Sequence, residues 1–182
     1  MKSLYVAILL TTMLSSSVAF ARFDIGLSGG YLRVVDLDED ITPQGGSVAL
    51  NIAWLAELGV VRFGPDIQVG FDYAKDDNDT IDVEISSIPV MFGLKLAIPL
   101  GLLEPYVTSH VGFTNITFKT DISDENENRF TYDATAGLNL ILGPVAVGPA
   151  FIYRFNDLKK ENNDEILNNL IAMLYVGVRF GE

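Results

Sequence analysis

Cysteine is absent from the 182-residue chain, which removes disulfides, thiolate nucleophiles and thiolate metal sites together. Histidine occurs once, at position 110, so a metal centre built on several imidazoles is excluded and any catalytic triad is confined to the surroundings of that ring. Positive charge is scarce: 12 Lys and Arg stand against 24 Asp and Glu, a net charge of −12. Nucleic acid is therefore not an expected partner, because a phosphate backbone requires a cationic surface. Beyond residue 21 no run of about 18 apolar residues occurs, so no transmembrane helix is expected there. Yet 49% of the residues are hydrophobic and the mean hydropathy is +0.30. Apolar residues distributed over many short strands reconcile the two facts.

Residues 1–21 read as a secretory leader that is cleaved. Lys2 supplies the positive start, Leu4 to Leu14 the apolar stretch, and Ala19-Phe20-Ala21 the small-x-small cleavage site. The apolar stretch is too short to span a bilayer as a helix, and no cysteine follows the cleavage site, so lipoprotein processing is excluded. Residues 22–182 then form one domain with a net charge one unit more negative, since the leader removes Lys2 and no acid.

The mature chain is organised around residues 87–113, two alternating runs joined by a tight turn. Ile88, Val90, Phe92, Leu94, Leu96 and Ile98 share one face, opposite Pro89, Met91, Gly93, Lys95 and Ala97, the two-residue period of a strand. Leu103, Pro105, Val107, Val111 and Phe113 continue it against Glu104, Tyr106, Thr108, His110 and Gly112. Leu58-Gly59, Leu100-Gly101 and Leu142-Gly143 recur 42 residues apart, each followed within a few residues by proline. Glycine suits the backbone of a tight turn, and proline is tolerated near a strand end. Three such turns on one side divide the mature chain into four hairpins and eight strands, placed at about 23–35, 45–56, 60–74, 81–98, 102–119, 129–141, 144–155 and 169–180. In the fourth strand the apolar parity changes at Ser86-Ser87, which predicts a β-bulge there. The connections at the other side, 36–44, 75–80, 120–128 and 156–168, hold 15 of the 24 acids. Short turns at one rim and longer polar loops at the other are the asymmetry of outer-membrane barrels, which places the acidic loops outside the cell.

Alternation alone fits a soluble barrel as well as a membrane one, and the composition of the polar face separates them. A soluble barrel would cover its exterior with Lys and Glu. Here that face is mostly Gly, Ala, Ser, Thr and Asn, which suits the narrow bore of an eight-stranded barrel, while the aromatic residues sit mainly near strand ends, where interfacial girdles belong. The expected fold is thus an all-β, eight-stranded antiparallel up-and-down transmembrane barrel. By parity its lumen contains Asp24, Asp66, Asp72, Glu104 and Asp133 with Lys95, Arg154, Arg179 and His110. Buried charges must be paired, so cross-lumen salt bridges are expected to fill the bore; a narrow solute path is the alternative.

The cleavage site, the hairpin IPVMFGLKLAIPLGLLEPYVTSHVGF at 88–113 and the closing strand LYVGVRF at 174–180 resemble the small eight-stranded outer-membrane barrels of the OmpA/OmpX type. That resemblance implies residence in the outer membrane of a Gram-negative bacterium, among its lipid and lipopolysaccharide. It also implies delivery by the barrel-assembly machinery, which reads a terminal aromatic preceded by alternating apolar residues: Phe180, Val178, Val176 and Leu174. Gly181 and Glu182 extend the chain past that signal. Proteins of this type serve in adhesion, invasion and complement resistance or as anchors, and a few modify lipid. The lipid-A deacylases among them carry His-x-Ser followed by an acid, whereas this chain has His110-Val111-Gly112. The segment 76–84 also departs from a calcium loop, with Ile81 where glycine is required and Ser87 in place of the bidentate glutamate. The expected function is non-enzymatic: a monomeric, cofactor-free barrel presenting acidic loops to an extracellular ligand or supporting the envelope. A small passive channel is the alternative, and a lipid-modifying enzyme a third.

Overall fold

The computed structural model describes residues 21–35, 42–78, 81–120, 124–160 and 163–181; all but the last residue of the expected leader 1–21, most of the first loop, the tips of the other three and Glu182 lie outside the described residues. Eight antiparallel strands close into one barrel in sequence order: β1 Ala21–Val35, β2 Gln44–Leu58, β3 Val61–Asn78, β4 Ile81–Ala97, β5 Leu103–Thr120, β6 Asp124–Leu142, β7 Val145–Lys160 and β8 Asn163–Phe180. The seam is made by β1 against β8, Phe23 opposite Phe180 and Val35 opposite Asn168. Closure leaves no unpaired strand edge, which a membrane-spanning sheet requires. Gly59, Gly101 and Gly143 hold φ of 67°, 70° and 62°, the left-handed region that costs other residues a Cβ clash. The 42-residue recurrence in the sequence is the spacing of these turns.

Phe92, Leu94, Val107, Val111 and Phe151 are exposed on the outer surface. The outward run of β5 from Leu103 to Phe113 covers ten steps of about 3.3 Å. At the tilt of about 35–45° usual in such barrels it stands roughly 23–27 Å tall, the height of a hydrocarbon belt. On β1 to β5 no charged side chain faces outward between the turns and one cross-strand row formed by Arg33, Gln44, Lys75, Glu84 and Lys119. Phe23, Trp54 and Phe180 cluster at the turn side. Phe113 meets Phe130, and Tyr132 stacks on Phe155, toward the loop side.

Two expectations are corrected. β4 contains no bulge at Ser86-Ser87: it keeps one constant register against β3 and against β5, and Ile85 points inward with Ser87 and Met91. The apparent change of parity arose because the loop-side part of the bore is itself apolar. Leu32, Val34, Ala49, Ala74, Ile85, Ile116, Ile152, Ile171 and Met173 form a buried cluster there, with Val83 and Phe118 against it. The polar connections are also shorter than their composition predicts. Residues 75–78, 124–128 and 156–160 continue the strands, Lys119 pairing with Asp124 and Lys160 with Asn163. A backbone ladder needs no apolar side chain, so the hairpins outrun the apolar alternation.

Candidate functional site

The inward faces of the strands bring the charged residues together in the bore, in two tiers beneath the apolar cluster. At the turn side Glu104 is fully buried and meets three guanidinium groups: Arg62 Nη1 at 2.8 Å, Arg22 Nη1 at 3.4 Å, and Arg179 Nη2. Arg22 also donates to both oxygens of Asp24, at 2.7 and 3.0 Å, and Arg62 donates to Glu57 at 2.8 Å at the rim. The first residues of β1, β3 and β5 and the last of β8 are thereby cross-linked through one carboxylate.

In the middle tier His110, on β5, lies between two carboxylates, its Nδ1 2.7 Å from Asp133 Oδ1 on β6 and its Nε2 3.3 Å from Asp66 Oδ2 on β3. Both contacts are satisfied together when both ring nitrogens carry hydrogen. Arg154, on β7, donates to Asp72 Oδ2 at 2.5 Å, Gln68 Oε1 at 3.0 Å and Asp133 Oδ2 at 3.5 Å. Ser47 and Ser87 donate to the same Asp72 from β2 and β4, while Gln68 donates to Asn51 and Asn51 to Ser28. Lys95 is held differently. Its Nζ lies 4.6 Å from the ring centre of Tyr106 and 5.5 Å from that of Tyr175, a cation–π clamp. Tyr175 fits because Gly26 and Gly177 flank it: a Cβ at either would come within 2.3 Å of its ring or hydroxyl.

All nine residues expected in the lumen, Asp24, Asp66, Asp72, Lys95, Glu104, His110, Asp133, Arg154 and Arg179, are buried on inward faces. Arg22 and Arg62 were missed, although each shares parity with an expected neighbour, Arg22 with Asp24 and Arg62 with Asp66. Charge balance would have flagged them: five carboxylates had been set against three Lys or Arg, and the buried network requires near neutrality. The apolar cluster was missed for the opposite reason, since apolarity had been used to assign the outer face. Leu174, Val176, Val178 and Phe180 lie on the outward face of β8, and Gly181 follows directly with φ 93°.

Chemically this arrangement is occupied with its own charges. Carboxylates engage both nitrogens of His110, leaving neither for a hydroxyl nucleophile, and Ser109 faces outward. Among the described residues no group of three His, Cys, Asp or Glu is placed to hold a metal ion.

No family model and no curated protein matches the chain; solved structures do. Neisserial surface protein A (NspA) is similar with a TM-score of 0.56 at 15% identity, over 87% of this chain and 97% of that one. Ail, the attachment invasion locus protein of Yersinia pestis, gives 0.55 at 16% identity over 88% and 99%. The outer membrane enzyme PagL gives 0.52 at 16% identity over 85% and 98%. The chain has the fold of the small eight-stranded outer-membrane barrels, and that fold carries surface proteins and an enzyme alike.

Proposed function

We propose that this protein is a closed, non-enzymatic barrel of the Gram-negative outer membrane, exported through its leader and inserted by the barrel-assembly machinery as a monomer. It works through its outer surface and its acidic hairpins rather than through its bore. The observation that carries this is the double closure of the lumen. The apolar cluster of Leu32, Ile116 and Ile171 lies across the loop side, and Arg22, Arg62 and Arg179 close on Glu104 at the turn side. A hydrated ion would have to displace both, and neither a packed apolar layer nor a paired charge cluster yields without a large cost.

The belt sits in outer-membrane lipid, with the row from Arg33 to Lys119 at the level of the lipopolysaccharide headgroups. The acidic hairpins then project from the cell, where they contact a surface ligand or neighbouring envelope components. The likeness of fold to NspA and Ail supports the surface role, and that to PagL keeps lipid chemistry as the alternative. Purified protein in planar bilayers should be electrically silent, and discrete conductance steps would replace the closed scaffold by a pore. Lipid A from overexpressing cells should keep its mass; a shift abolished by His110→Ala would establish an enzyme.

A further inference from the structure

In the middle of the bore, between the apolar cluster and the turn-side arginines, lies a cavity of about 20 Å³. A site of this measure holds a water molecule once it exceeds about 10–15 Å³ and offers two to four polar partners. Asp66, Lys95, Thr108, His110 and Thr135 line it. Three of their atoms have no protein partner: Asp66 Oδ1, Thr108 Oγ1 and Thr135 Oγ1, on side chains that are all more than nine-tenths buried. Lys95 faces the same space. Among the described residues its only close partners are the two tyrosine rings, which take none of its three N–H donors along a lone pair.

The chemistry of this lining selects its ligand. Asp66 Oδ1 needs a donor and the Lys95 ammonium needs an acceptor, while the two hydroxyls can serve either way. An anion cannot donate to the carboxylate, and a metal cation cannot accept from the ammonium. Water does both. We propose that one or two ordered waters occupy this cavity and bridge Lys95 to Asp66.

With that bridge the separate contacts of the middle tier become one chain. Lys95 reaches Asp66 through water, and Asp66 Oδ2 meets His110 Nε2. His110 Nδ1 meets Asp133, Asp133 meets Arg154, and Arg154 donates to Asp72. Six ionisable side chains, drawn from β3, β4, β5, β6 and β7, are tied across the bore, with water supplying the link between Lys95 and Asp66. Such water-mediated bonds are nearly as good enthalpically as direct ones, so Lys95 stays buried without a direct ion pair.

The test uses the full mature chain refolded in detergent or nanodiscs. A crystal structure fine enough to show ordered solvent should place water at about 2.7–3.2 Å from both Lys95 Nζ and Asp66 Oδ1. In nanodiscs, the Thr108 and Thr135 resonances should show magnetisation transfer from water despite their burial. Thr108→Val with Thr135→Val keeps the shape and removes two of the water's partners; it should raise the unfolding equilibrium constant roughly tenfold and weaken the transfer at neighbouring groups. A dry cavity with Lys95 Nζ in direct contact with Asp66, or a double valine variant as stable as the parent, would overturn the proposal. Bilayer conductance is a separate readout: a silent barrel with a dry cavity refutes the water bridge alone, and a conducting one refutes the closed scaffold.

Discussion

At the residue scale the molecule turns on how its buried charges are matched. Glu104 serves three arginines at once, so removing its charge strands cations in the bore. Breaking a buried pair from one side typically costs about 3–5 kcal/mol, and Glu104→Gln should lose about that much in urea unfolding followed by gel mobility. Glu57 binds Arg62 as well, but its side chain is 50% exposed, and Glu57→Gln should cost less than about 1 kcal/mol because solvent already screens the pair. The turn glycines make a different residue-scale prediction. At φ 67° Gly59→Ala should destabilise by about 1–2 kcal/mol without altering the assembled barrel's spectrum, whereas a neutral outcome would mean that the turn relaxes into another type.

At the scale of the element, each strand carries two faces whose meaning changes along its length. β1 is the clearest case: Arg22 and Asp24 point into the charge cluster, while Leu32 and Val34, with the same parity, point into the apolar one. A single strand therefore contributes to both closures of the bore. Ile171→Ala on β8 or Leu32→Ala on β1 should each cost about 2–5 kcal/mol, the usual range for emptying a packed core position, when unfolding is followed by tryptophan emission. A loss within a few tenths of a kcal/mol would mean that these side chains do not pack. The hairpin ends follow another rule, with backbone pairing continuing past the belt: Asn115 donates to Asn126 and Asn128 at 2.7 and 3.0 Å. Polar side chains there decorate a ladder already formed.

At the scale of the whole molecule the decisive property is sidedness. If the apolar belt faces acyl chains, a charge is most costly at its middle: Leu94→Arg, opposite Ser109, should destabilise by about 2–4 kcal/mol and Leu58→Arg, beside a turn, by about 0–1 kcal/mol. A soluble barrel turned inside out would show no such depth dependence in lipid. Much of this was legible in the chain. The 42-residue spacing of Leu-Gly pairs gave three turns, the period of two gave eight strands, and shared parity gave nine of the buried charges, because those features are local and repeat along the backbone. The absence of cysteine and the single histidine likewise bounded the chemistry. What the linear order could not supply was height within the bore, since strand tilt and stagger decide which inward residues share a level. Only closure revealed that Leu32, Ile85, Ile116 and Ile171 meet in one layer, that Arg22 and Arg62 converge with Arg179 on Glu104, and that Lys95 and Asp66 line one small cavity.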